Sequence, residues 1–151
     1  MKLQYFGTAA AEGWPALFCG CDACRRAREA GGRNIRTRSQ ALIDDKLLID
    51  FPADTYLHMI HYGLNLNYID SVIVTHAHED HFYPKELGNR RSGFAHIPED
   101  GPRLLTVYGS EAVGKALAPV IAGAQGRLAF ERLKIGEAYI IGGYSVTPLP
   151  A

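Results

Sequence analysis

The stretch VIVTHAHEDHF, residues 72–82, holds His76, His78 and His81 within six positions, with Glu79 and Asp80 between the last two. Imidazole nitrogen and carboxylate oxygen together suit a divalent ion such as zinc, manganese or iron, and no thiolate in this loop asks for a softer metal. On a helix the three histidines would point in different directions around the axis, whereas an irregular loop lets them converge. On extended backbone His76 and His78 face the same way, and Asp80 and His81, beyond a turn, can reach a neighbouring ion. The pattern therefore asks for two metals rather than one. A metal pair lowers the pKa of a shared water and can polarise an electrophile.

Cys19, Cys21 and Cys24 form the second cluster. An odd number of cysteines packed into one short loop makes no disulfide framework. Three sulfurs at C-x-C-x2-C can occupy three corners of a tetrahedral zinc, with the fourth ligand missing locally. The remaining histidines are weaker candidates. His58 and His61, spaced i,i+3 in YLHMIHYG, read as a polar helix edge before they read as a ligand pair. His96 lies in GFAHIPEDGP, and a long loop over a rigid scaffold can bring such a residue to a substrate. Six arginines, from Arg25 to Arg38, crowd into fourteen residues; they can attract a phosphate-bearing ligand, but charge runs mostly face water.

The elements that must hold these groups follow from the hydropathy pattern. KLQYF alternates and runs into a turn-rich segment, a strand followed by an irregular loop. CRRAREA, ending at Gly31-Gly32, is a short helix. SQALIDDKLLIDF is a β-hairpin turning at Asp44-Asp45. Asp54 stands at an N-cap position for a helix over about Thr55 to Tyr62. YIDSVIVTH reads as a buried strand ending at Thr75, directly before the histidine loop. In layered α/β proteins ligands collect beyond the carboxyl ends of such strands. RLLTVYG is another strand, Ser110 caps a helix EAVGKALAPVIAG that bends near Pro119, and AYIIGGYSV is a hairpin through Gly142-Gly143.

With 151 residues, 47 % of them hydrophobic and 21 % charged, the chain can form one globular domain with its own core. Its formal net charge of zero speaks against nucleic acid as a partner. No apolar run is long enough to span a bilayer, and MKLQYFGTAA lacks the apolar core of a secretory signal, so no membrane partner and a cytoplasmic location are expected.

THAHEDH resembles the H-x-H-x-D-H signature of the metallo-β-lactamase fold superfamily. The resemblance implies an α/β fold, the αββα sandwich, and a binuclear metal-dependent hydrolase with two divalent catalytic ions, zinc or manganese. It implies that His76 and His78 bind one ion and Asp80 and His81 the other, with Asp80 also steering the nucleophile. LLIDF resembles the family's second strand, which ends in an acidic residue near the site; Asp50 would then orient a ligand imidazole. Without the resemblance Asp50 reads equally well as a strand-end turn residue. The wider GTAAAEGWPALFCGCDACRRAR resembles the PhnP-like phosphodiesterases of the carbon–phosphorus lyase pathway. These carry a structural zinc on such cysteines and a distant histidine, and hydrolyse cyclic phosphate diesters through a metal-bound hydroxide. Ala9 departs from this subgroup, many members of which have glycine after GT.

A small phosphodiester is thus the expected substrate. The alternatives are another hydrolase of the same fold (an RNA 3′-processing nuclease, a lactonase or a thioesterase) and a non-catalytic metal-binding module. In the family, further ligands follow the strand that YSVTPLP resembles, about where this chain stops. Residues 1–151 are therefore expected to be the N-terminal part of a single domain of roughly 250 residues. Such a half should be inactive alone and should leave an apolar sheet face open, to pair with a second copy as a homodimer or with the missing C-terminal half.

Overall fold

A computed structural model describes residues 1–150. The strands are β1 (Leu3–Gly7), β2 (Gln40–Ile43), β3 (Leu47–Ile49), β4 (Ser71–Ile73), β5 (Leu105–Gly109), β6 (Leu128–Arg132), β7 (Tyr139–Ile141) and β8 (Tyr144–Val146). The helices are α1 (Asp22–Ala30), α2 (Thr55–Tyr62) and α3 (Glu111–Gly123), with short 3-10 segments at Gly32–Asn34, Leu66–Tyr68 and Pro84–Arg90. One six-stranded sheet runs in the order β1-β2-β3-β4-β5-β6, and β7 and β8 form a separate ribbon. The first two pairings are antiparallel and the last three parallel. Parallel neighbours need crossovers, here through α2, the long loop after β4, and α3.

The β2–β3 hairpin turns through Asp44 and Asp45, both with positive φ, a backbone state that aspartate tolerates better than most residues. The β7–β8 turn uses Gly142 and Gly143, also at positive φ, as a tight hairpin requires.

Side chains alternate across the sheet. One face carries Leu42, Leu48, Val72, Val74, Leu105, Val107 and Leu128 and packs with Val113 and Leu117 of α3 into a single core. The other face carries Ala41, Leu47, Ile49 and Ile73 toward the β7–β8 ribbon, whose Gly142 lies against Leu47 and whose Tyr144 hydroxyl donates to Asp44. At its β1 edge this second face is open, with Leu3 47 % and Tyr5 65 % exposed. Gly7, where β1 shifts register, passes so close to the next segment that a Cβ there would sit 1.9 Å from the Arg38 carbonyl oxygen.

Several local expectations are corrected. Strand β6 was not visible in its hydropathy pattern. Ser110 occupies the N-cap position of α3 but makes no side-chain cap bond, although the helix itself spans the expected Glu111–Gly123. Asp54 precedes α2 without capping it, because its carboxylate accepts from Arg38 instead, from the backbone N–H at 2.7 Å and from Nη1 at 3.0 Å. His58 is no polar helix edge. It is fully buried, with Nδ1 2.6 Å from Gln40 Oε1 and Nε2 2.7 Å from Thr37 Oγ1. The arginine run is largely engaged locally: Arg25 pairs with Asp22 and Glu29, Arg28 donates to the Cys19 carbonyl, Arg36 to Thr8 Oγ1, and Arg38 to Asp54.

Candidate metal centre

β3 and β4 are parallel neighbours, so their carboxyl ends bring residues 50 and 74–81 side by side. The Asp50 N–H donates to the Ile73 carbonyl at 2.8 Å, and then the chain turns away with Asp50 at φ 64°. That left-handed conformation costs energy in a non-glycine residue and persists only where its surroundings hold it. Here they do. Gln40 Nε2 donates to the Asp50 carbonyl at 3.0 Å and lies 3.0 Å from Thr55 Oγ1, which itself donates to Pro52. Gln40, Asp50, Thr55 and His58 are all buried, a connected polar network inside the core.

The turn directs the Asp50 carboxylate into the histidine loop, where it is 2 % exposed as a residue. Oδ1 accepts from the Thr75 N–H at 2.8 Å and from Thr75 Oγ1 at 2.9 Å, and Oδ2 lies 2.6 Å from His81 Nδ1. A carboxylate only accepts, so Nδ1 of His81 carries the proton and Nε2 presents its lone pair to the loop. From there Nε2 stands 3.6 Å from Asp80 Oδ2. The loop itself is tied down by the Phe51 N–H donating to the His81 carbonyl at 2.8 Å and the Tyr83 N–H to the Phe51 carbonyl at 2.7 Å.

His76, Asp80 and His81 each place a ligand atom within 4.8 Å of the others, and all three are partly buried. Neighbouring donors on a tetrahedral zinc stand roughly 3.3 Å apart, so the His81–Asp80 spacing is one that an ion can bridge. The rings of His76 and His81 are 4.1 Å apart, and burial, then the charges of His81 and His78, lowers the pKa of His76, favouring the neutral imidazole that a metal needs. His78 is exposed; its ring lies 4.8 Å from that of His76, but it is not within the three-residue donor group. The donor chemistry thus fits a divalent ion at His76, Asp80 and His81, with His78 at the rim.

Cys19, Cys21 and Cys24 also bring their sulfurs within 4.8 Å of one another, close to the roughly 3.8 Å expected between thiolates on one zinc. Cys21 sits at the N-terminus of α1, where the Cys24 N–H, then the Cys19 and Cys24 side chains, lower its pKa to about 7. A thiolate is the form that binds metal, so this trio fits a zinc as well.

The structure leaves His61 exposed at the end of α2, and His96 lines a separate cleft with Arg103 and Arg127. Thr75 was missed by sequence reasoning, although it contacts Asp50, His76 Nδ1 (3.1 Å) and His81 Nδ1 (3.4 Å). A threonine closing an apolar strand looks like an ordinary β-former, and only its place immediately before the first histidine signals a second role.

No family model and no curated protein sequence matches the chain. Solved structures do. Zinc-bound PqqB from Methylobacterium extorquens superposes with a TM-score of 0.73 at 21 % identity, covering 96 % of this chain and 54 % of that one. A diphosphatase from the PhnP family gives 0.72 at 23 % identity, over 95 % and 54 %. Human tRNase Z, short form, gives 0.55 at 17 % identity, over 89 % and 46 %. The chain spans about half the length of each of these structures. All three are metallo-β-lactamase fold proteins, and this chain has the metallo-β-lactamase fold over that shared half.

Proposed function

We propose that the protein is a metal-dependent hydrolase, acting on a phosphodiester, with a small cyclic phosphate diester as the leading substrate class. The observation that carries this reading is the convergence of His76, Asp80 and His81 behind which Asp50 is buried against His81. His76, His78, Asp80 and His81 would hold two divalent ions, zinc or manganese, and Cys19, Cys21 and Cys24 a structural zinc. Divalent ions at such a site supply a water of lowered pKa and an electrophilic contact for a phosphoryl oxygen.

The chain's own residues do the rest. Asp50 fixes the tautomer and direction of His81, and Thr75 fixes Asp50 by two hydrogen bonds. Asp80 Oδ2 faces the same point as His81 Nε2, 3.6 Å away, so the two would share an ion there and Asp80 would steer the attacking water. The cysteine loop supports the phosphodiester reading, because similar cysteines mark the PhnP-like proteins, and a PhnP-family diphosphatase is among the structural neighbours. The whole protein would place its substrate at the open end of the sheet, with the cytoplasm as the expected compartment and a second copy or further chain closing the face of Leu3 and Tyr5.

The test is to load the whole protein, rather than residues 1–151 alone, with zinc or manganese and follow ring opening of small cyclic phosphodiesters. Turnover that disappears in Asp80→Asn is expected. No turnover of any cyclic diester, alongside good turnover of a lactone or thioester, rejects the phosphodiesterase reading in favour of another hydrolase of this fold. Zinc at the cysteines alone, with none at the histidine loop, favours a non-catalytic metal-binding module.

A further inference from the structure

The loop that leads from Arg90 to β5 borders, with the turn before β6, a cleft of about 430 Å³, a volume in the range of small-molecule sites. Ser92, Phe94, His96, Arg103 and Arg127 line it, and none of residues 76–81 does. Arg103 and Arg127 stand just ahead of β5 and β6, which begin at Leu105 and Leu128, whereas the histidine loop follows the carboxyl end of the parallel strand β4. The cleft thus lies at the opposite strand ends from the candidate metal centre. Its walls are laced together: Arg127 Nη1 donates to the carbonyls of Arg90 and Ala95 at 3.1 and 3.2 Å, and the Ser92 N–H donates to Gln125 Oε1 at 2.9 Å.

The titratable side chains on the lining are two guanidinium groups and an imidazole, with no carboxylate among them. Neither Arg103 nor Arg127 has a carboxylate ion-pair partner among the described residues. Glu99 and Asp100, the acidic residues of the same loop, are exposed, lie off the lining and pair with neither. Two further cations stand close by. Arg91 lies 4.1 Å over the centre of the Phe94 ring, and Arg90 is near enough for the charge of Arg127 to add to burial in lowering its pKa. Arg103 is exposed, and the nitrogens of Arg127 other than Nη1 make no hydrogen bond among the described residues and are not buried, so both offer donors to a ligand. A solvated surface arginine swings freely and needs no counter-charge. Arg127 is clamped beside another guanidinium, and the repulsion between them is relieved by an anion in the cleft. A guanidinium fork held in place matches phosphoryl oxygens two at a time, and two such charges match a dianion better than a single carboxylate. The cleft has room beyond a phosphate for an organic group beside the Phe94 ring, which is 65 % exposed.

We infer that this cleft binds a phosphomonoester, its dianionic phosphate on Arg103, Arg127 and His96 and its organic body beside Phe94. The inference does not rest on hydrolase chemistry. AMP titrated into the whole protein should bind saturably by calorimetry, shift the backbone resonances of Gly93 and His96, and bind more weakly as salt is raised. Adenosine should bind at least tenfold more weakly, and inorganic phosphate should compete with AMP. Arg103→Gln, a change at an exposed residue, should weaken AMP at least tenfold. Arg127→Lys, which keeps the charge and loses the fork, should weaken it at least threefold, and His81→Ala should leave it unchanged. Absence of saturable binding overturns the inference. Adenosine binding as tightly as AMP, or phosphate that fails to compete, overturns it by leaving the phosphate unrecognised. AMP affinity that survives Arg103→Gln, or is lost with His81→Ala, places the ligand elsewhere and overturns it equally.

Discussion

His81 Nδ1 lies 2.6 Å from a carboxylate oxygen of Asp50, a residue 31 positions earlier in the chain. The contact joins the end of one parallel strand to the loop after its neighbour, and it decides which nitrogen of His81 faces the candidate metal site.

Asp50→Asn replaces an acceptor-only oxygen with an amide, and one of the two oxygens now serving Thr75 and His81 is lost. Zinc or manganese affinity at the histidine loop should fall by about 10–100-fold, as is usual when the partner of a ligating histidine is removed. Calorimetric metal titration measures it, and the cysteine site in the same molecule should keep its affinity.

The cysteine trio should behave as an independent site. One equivalent of zinc should remain in His76→Ala and Asp80→Asn but be lost in Cys24→Ser, as read by metal analysis, and removing it with a chelator should lower the melting temperature. In the metal-free protein Cys21 should alkylate before its neighbours, with the pH midpoint of its reaction near its pKa of about 7.

Burial lowers the pKa of His58, with Asp54 opposing the shift. The unfolded chain, with an ordinary histidine pKa of about 6.5, therefore binds a proton more readily than the folded one. The stabilisation from neutral His58 is complete above that value and is lost as pH falls toward the folded pKa. Denaturant unfolding at pH 8 and pH 5.5 should show the decline, and His58→Gln should have a flatter profile with lower stability at pH 8, because the Gln40 and Thr37 contacts are impaired.

Gly7→Ala forces a methyl group to within 1.9 Å of the Arg38 carbonyl oxygen, so β1 or the 37–38 segment must move. A loss of about 3 kcal/mol, the upper end of ordinary overpacking, is expected from urea unfolding. Gly20→Ala, where nothing lies within 4 Å of the added carbon, should be close to neutral and serves as the control.

Much of the sheet was legible because its strands carry local signals. Alternation and β-rich runs mark β1 and β4, and paired aspartates or glycines mark the turns of both hairpins. Helix α2 has the expected bounds, Thr55 to Tyr62, and stops at Gly63, which takes up the left-handed conformation. β6 was invisible: LAFER is half charged at its end and owes its extended form to pairing with β5, a contact that no local pattern announces. His58 was misread for a related reason. Its i,i+3 partner His61 is exposed, so the spacing suggested a common face, whereas the contrast between them comes from Gln40 and Thr37 on distant segments. The histidine loop was legible as chemistry, but the network that sets Asp50 is built from residues 37, 40, 55 and 58, which have no shared spacing.

At Asp50 the main chain and the side chain answer to different partners: the carbonyl to Gln40, the carboxylate to Thr75 and His81. Shape and charge at this corner are thus separable. A glycine there would follow the same path, even more easily, and leave the imidazole without its anchor, so a chain can preserve the architecture of the corner while discarding its chemical purpose.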